Sequence, residues 1–132
     1  MKKVIFIFIL IVLSPCLSFA AHLYPEKEYQ RVWCTLNGGI SEYVLTDKAR
    51  VDCVTKDYAI EFDFANKWAE AIGQSLYYGT SLCKQSGIVL ILENSQRDKK
   101  YLNRLLSVAK LYNIKVWIVT PEILVNRLNC DN

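Results

Sequence analysis

Apolar residues recur three and four positions apart early in the chain, at Tyr29, Val32, Trp33 and Leu36. That spacing is one face of a helix over residues 25–36. Pro25 suits the first turn, Glu26 and Glu28 suit its positive end, and Asn37-Gly38-Gly39 ends it. Shorter runs follow at 41–45, 50–54 and 58–64, separated by turn residues at 46–49 and 55–57. They predict three strands in an antiparallel meander. Residues 66–82 then predict a helix with Trp68, Ile72 and Leu76 toward the sheet and Asp63 or Asn66 as its cap. The unbroken apolar run 88–92 is typical of a strand buried on both faces. Residues 98–112 form another amphipathic helix, with Leu102, Leu105, Val108, Ala109 and Tyr112 inward. A strand at 114–119 and a short helix at 121–128 close the pattern. The order strand–helix–strand–helix–strand from Tyr58 predicts an α/β fold: a mixed central sheet flanked by helices on both faces.

Alternation along the strands singles out acidic positions. In 58–64, Tyr58, Ile60 and Phe62 share one face, and Ala59, Glu61 and Asp63 the other. In 50–54, Arg50 and Asp52 are expected opposite Val51 and Cys53. Asp52, Glu61 and Asp63 can then face one another. Like charges on neighbouring strands repel and need an offset, from a cation or from Arg50 or Lys67. Lys67, Glu70, Gln74 and Tyr78 follow one stripe of the next helix, so Lys67 and Gln74 can border the same cleft.

The first 20 residues change the picture of where the protein works. Lys2 and Lys3, the apolar run 4–13 and Ser18-Phe19-Ala20 have the form of a signal peptide cleaved after Ala20. Residues 21–132 are then one exported domain, periplasmic or secreted, with no later run long enough to span a membrane. The leader takes two of the 16 basic residues, leaving 14 against 13 acids and a net charge of +1. Any nucleic-acid binding must therefore come from a local basic face, for which Lys99, Lys100 and Arg104 are the candidates. Cys34, Cys53, Cys83 and Cys130 remain after cleavage, an even count that suits disulfides in an exported domain. Three pairings are open; Cys34–Cys53 with Cys83–Cys130 is the favoured one. A zinc site is disfavoured, since there is no CxxC pair and the single His lies beside the cleavage site.

The element order, together with Asp52, Glu61 and Gln74-Ser75-Leu76-Tyr77-Tyr78, resembles the PD-(D/E)XK nuclease superfamily, in its Holliday-junction-resolvase-like and RecB-like forms. The resemblance spans roughly Tyr29 to Val119. It implies a restriction-endonuclease-like fold, Mg²⁺ or Mn²⁺ as cofactor and nucleic acid as partner. Glu42 would be the early acid, Asp52 the strand Asp and Glu61 the Glu of Glu-x-Lys. Gln74 and Tyr78 would match Gln-x-x-x-Tyr. Asp63 occupies the lysine position of Glu-x-Lys, so Lys67 on the following helix would take that role. On this reading Asp52, Glu61 and, through a water, Glu42 hold the metal, with a main-chain carbonyl at Phe62 nearby. Lys67 serves the water, Gln74 assists, and Tyr78, Lys99 and Lys100 contact the substrate.

Each residue also has a plainer role. Asp52 can pair with Arg50 or Lys56, Asp63 can cap a helix, and Glu70 can pair with Lys67 or Lys84. Glu42 sits at a solvated strand end. Lys67 is adversely placed at a positive helix end, which favours an anionic partner. Glu61 is the hardest to dismiss, because charges inside apolar strands are rarely there for solubility. Trp33, Trp68 and Trp117 read as core. The rival to an exported nuclease is a catalytically inactive nuclease-fold module that binds nucleic acid or a protein partner; an effector or toxin acting on other cells is a third reading.

Overall fold

In the computed structural model, which describes residues 22–128, strand order follows chain order. Strands β1 (Ile40–Val44), β2 (Arg50–Val54), β3 (Tyr58–Phe64), β4 (Gln85–Ile91) and β5 (Lys115–Val119) lie side by side. The first three pair antiparallel and the last three parallel, so β3 is where the sense changes. Connection length dictates this. Short turns join β1, β2 and β3, whereas the parallel pairs need the crossover helices α2 (Trp68–Leu82) and α3 (Ser95–Leu111). Helices α1 (Glu26–Leu36) and α4 (Glu122–Leu128) cover one face of the sheet, and α2 and α3 the other. The α/β fold with a mixed sheet between helices is the one the periodicity predicts.

Each face buries its own apolar set. On one, Tyr29 and Trp33 of α1 meet Ile60, Phe62, Val89, Ile91 and Trp117. Trp33 and Trp117 pack edge to face at 5.2 Å, which makes them core residues. On the other, Trp68, Ile72 and Leu76 pack with Ile88, Leu90, Leu105 and Ala109. Leu36 and Tyr112, expected to end their helical stripes inward, are instead 69% and 60% exposed. Leu36 is the last residue of α1 and Tyr112 lies beyond α3, where the chain turns away from the sheet. The expected cap of α2 is also replaced. A 3₁₀ turn, Ala65–Lys67, precedes the helix, and neither start has a side-chain cap. The Asp63 carboxylate instead accepts from the Phe64 N–H at 2.9 Å.

Cys34 and Cys53 form a disulfide between α1 and β2, spanning 19 residues of sequence. Gly39 allows it: a Cβ there would lie 2.5 Å from one sulfur and 2.7 Å from the other. Cys83 is exposed at the end of α2, and its expected partner Cys130 lies outside the described residues, as does the leader. No helix among the described residues is long and apolar enough to cross a membrane.

Closing that loop restricts the unfolded chain, so reduction should lower stability by about 2–4 kcal/mol. Urea unfolding with and without reductant measures it. Gly39→Ala should cost about 1–3 kcal/mol, because neither the sulfurs nor the turn can move aside without strain. An unchanged urea midpoint in either experiment contradicts this account.

Candidate functional site

The site begins where two strands stop pairing. β2 and β3 are matched at Val54↔Ala59 and Cys53↔Ile60, and the ladder ends there. At the next position Asp52 Oδ2 accepts from the Phe62 N–H at 2.8 Å, so a side chain stands in for a strand carbonyl. β2 and β3 therefore open as a fork, with the Asp52 carboxylate inside it. In a strand a residue's N–H and C=O leave by the same edge, so the Phe62 carbonyl also faces the fork.

A kink in β1 and β2 accompanies the opening. The β1–β2 ladder pairs Ser41 with Cys53 and Tyr43 with Val51. Between them Glu42 sits at φ 58°, a left-handed conformation that costs a non-glycine residue on the order of 1 kcal/mol. Strict alternation in β2 fails at the same level: Cys53 packs under α1, while Val51 packs with Ala59 and Tyr78 on the α2 side. Buried Gln30 of α1 spans the kink, donating to the Asp52 carbonyl at 2.6 Å and to Glu42 Oε1 at 2.8 Å. Arg50 holds the other Glu42 oxygen at 2.7 Å, with Lys27 at 3.7 Å. Glu42 is thus committed to Gln30 and two cations, which hold its carboxyl below the usual range. Its charge still reaches Asp52.

The acid that does come from the first helix is Glu26. Its half-buried carboxyl comes close enough to Asp63, Asp52 and Lys67 to feel their charges. Sequence reasoning missed it, because a glutamate in a first helical turn already has a reason to be there. The available signal was Gln30, a polar residue one turn on, between the apolar positions Tyr29 and Trp33.

Glu61 and Asp63 project from β3 and are only 5% and 4% exposed. Asp52 and Glu61 lie close enough to shift one another, and Glu61 Oε2 is buried with no hydrogen-bond partner among the described residues. Burial pushes Glu61 far above the carboxylate range, and the Asp52 charge adds to it. Burial also raises Asp52, against the Phe62 N–H. It lifts Asp63 to about 6, opposed by Lys67, and Glu26 to about 7, reinforced by Asp63. Lys67 Nζ lies 3.9 Å from Asp63 Oδ1 and is half exposed. Tyr78 is buried on the α2 side of the fork, close enough to feel Glu61 and Asp52, and Gln74 bonds its hydroxyl from the exposed side.

No family model, curated protein or solved structure matches the chain. The fork must be read from its own geometry. It gathers Asp52, Glu61 and Asp63 with Lys67, Gln74 and Tyr78, and adds Glu26. Lys99 and Lys100 are exposed on α3 and form no ion pair with these acids; Lys100 lies over the Tyr101 ring instead. Glu70 makes no ion pair among the described residues. No three acidic, His or Cys side chains there stand at metal-ligating distance already.

Raised carboxyl pKa values set the pH dependence of stability without metal. The folded chain holds protons that the unfolded chain has lost above about pH 4. These groups therefore destabilise the fold increasingly as pH rises, through about 6 for Asp63, about 7 for Glu26 and higher for Glu61. Glu42 and Asp98 are depressed and act in the opposite sense, losing their contribution in acid. In EDTA, the melting temperature should peak at about pH 4–5 and fall toward pH 8. Glu61→Gln should flatten the fall and gain on the order of 1–3 kcal/mol at pH 8. Thermal melts across that range check both, and a melting temperature rising from pH 5 to 8 contradicts the assignment.

Proposed function

We propose that the protein is an exported, metal-dependent nuclease of restriction-endonuclease-like fold, similar to the PD-(D/E)XK superfamily, hydrolysing phosphodiester bonds in DNA or RNA. One observation carries the reading: a glutamate buried inside a strand, with one oxygen unpartnered, at a fork it shares with Asp52. An ionised carboxylate in that place is costly unless a cation meets it. Lys67 lies against Asp63, so the cation for Glu61 must come from solution.

Mg²⁺ or Mn²⁺ fits this donor set. Two carboxylates, Asp52 and Glu61, with the Phe62 carbonyl supply few protein ligands, which suits an ion that keeps several waters. When bound, the ion would lower the pKa of a water and neutralise charge on the scissile phosphate. The chain's own residues would do the rest. Asp52 and Glu61 fix the ion's position at the fork. Lys67, neighboured by Asp63, orients the attacking water or meets the developing negative charge. Gln74 extends from the exposed side and holds a phosphate oxygen or water, with Tyr78 buttressing it. Glu26, near Asp52 and Asp63, would add its carboxylate to the ion's surroundings through a bound water, and Asp63 accepts protons released in the cleft.

The half-exposed Lys67 held by Asp63 also favours a second reading, a binding module with an inactive site. Plasmid DNA, linear DNA and RNA incubated with Mn²⁺, Mg²⁺ or EDTA separate the two. The nuclease reading predicts metal-dependent cleavage that falls about 100-fold or more in Glu61→Ala and Lys67→Ala. Cleavage that persists in EDTA, or in Glu61→Ala, contradicts it. No cleavage of any substrate, with no rise in melting temperature on adding Mg²⁺ or Mn²⁺, favours the module.

A further inference from the structure

Glu93 lies two residues beyond β4, on the opposite side of β3 from the fork, yet its carboxylate is tied to the start of α1. One oxygen accepts from the Leu23 N–H at 2.9 Å, the Tyr24 N–H at 3.4 Å and the Tyr29 hydroxyl at 3.0 Å. The other meets His22 Nδ1 at 2.9 Å. The Glu93 side chain is 7% exposed. The His22 ring stacks on Phe64 at 3.4 Å, with the planes 8° apart, and Tyr29 meets the same ring edge-on. One buried carboxylate thus grips the chain on both sides of Glu26, four, three and two residues before it and three after. Phe64, under the strap, directly follows Asp63, the acid whose charge acts on Glu26.

We infer that Glu93 is a positioning residue for the fork: by fixing the strap His22–Tyr24 and the first turn of α1, it sets Glu26 against Asp63 and Asp52. The physical need is clear. The first turn of a helix lacks backbone acceptors for its own N–H groups and frays unless something holds it. Pro25 gives α1 no side-chain cap. An acid on a fraying turn would swing into solvent rather than sit half-buried among other acids, which repel it. Glu93 opposes that repulsion with hydrogen bonds at a distance from the charges themselves. It acts as the outer partners of a metal site do, holding a first-turn carboxylate in place without touching the ion.

The inference rests on the metal reading of the fork, and the experiment separates the two. Mn²⁺ affinity is measured by calorimetry on the purified protein, on Glu26→Gln, on Glu93→Leu and on the double variant. If Glu93 acts through Glu26, Glu93→Leu weakens Mn²⁺ binding by about 10- to 100-fold. In the Glu26→Gln background it then adds almost nothing, because the pair is coupled. Glu93→Gln keeps an acceptor for Leu23, Tyr24 and Tyr29 and should restore most of the affinity. If Glu93→Leu does not fold, by circular dichroism, Tyr29→Phe enters the same cycle in its place. Additive losses in the cycle, or no loss from either single variant at Glu93 or Tyr29, overturn the inference and leave the metal reading standing. No Mn²⁺ binding by the unaltered protein overturns both.

Discussion

The hydrogen bond from the Phe62 N–H to the Asp52 carboxylate is the constraint on which the rest of this structure depends. It replaces a rung of an antiparallel ladder with a side chain. Once that rung is gone, β2 and β3 cannot stay parallel to one another, and the polar edge of β3 opens. A strand interior normally admits no charge, because every backbone group is matched and every side chain is packed. Here the missing rung creates the room that Glu61 and Asp63 occupy. The kink at Glu42 and the reversed placement of Val51 are the same event seen from β1 and β2. Gln30, bonded to the Asp52 carbonyl, and the Cys34–Cys53 bridge at the next residue tie this seam to α1.

The fork is a concentrated electrostatic problem. Glu26, Asp52, Glu61 and Asp63 share it with a single half-exposed lysine. Protons solve it in acid, where the carboxyls are neutral. At neutral pH Glu61 still holds its proton, while Asp52, Asp63 and Glu26 give theirs up beside Lys67. A fold under selection for stability alone would place apolar residues here, as it does along the rest of β3 and all of the buried run in β4. On the proposed function, the acids attract a hard cation with its waters, and that cation in turn a phosphate.

Much of this was legible in the residues. The hydrophobic periods of 2 and 3.6 place every strand and helix, because turns in this chain are short and marked by Gly, Asn, Asp and Lys. Glu61 stood out because apolar neighbours flank it, and Lys67 because a cation at a helix start needs an anion nearby; Asp63 supplies it. What remained hidden is tertiary in origin. Glu26 looks sufficient as a first-turn acid, and only the packing of α1 across the fork shows its second role. Glu42 looks like a strand-end acid aimed at its neighbours. Its backbone there is left-handed and its carboxylate is taken by Gln30 and Arg50, which no period-2 pattern encodes. The same break defeats alternation at Val51. The cap of α2 was misplaced because Asp63 faces two competing demands, and the lysine and glutamate around it win.

The central claim is that the opened strands hold a divalent cation between Asp52 and Glu61. Diffraction from crystals grown with Mn²⁺ at about pH 8, recorded at the manganese absorption edge, is the decisive test: Asp63 and Glu26, which titrate near 6 and 7, are ionised there, and the ion has only to displace the proton that Glu61 still holds. An anomalous peak is expected in the fork, about 2.1 Å from an oxygen of Asp52 and of Glu61. A fork without a peak, while manganese binds elsewhere or not at all, would sink that assignment.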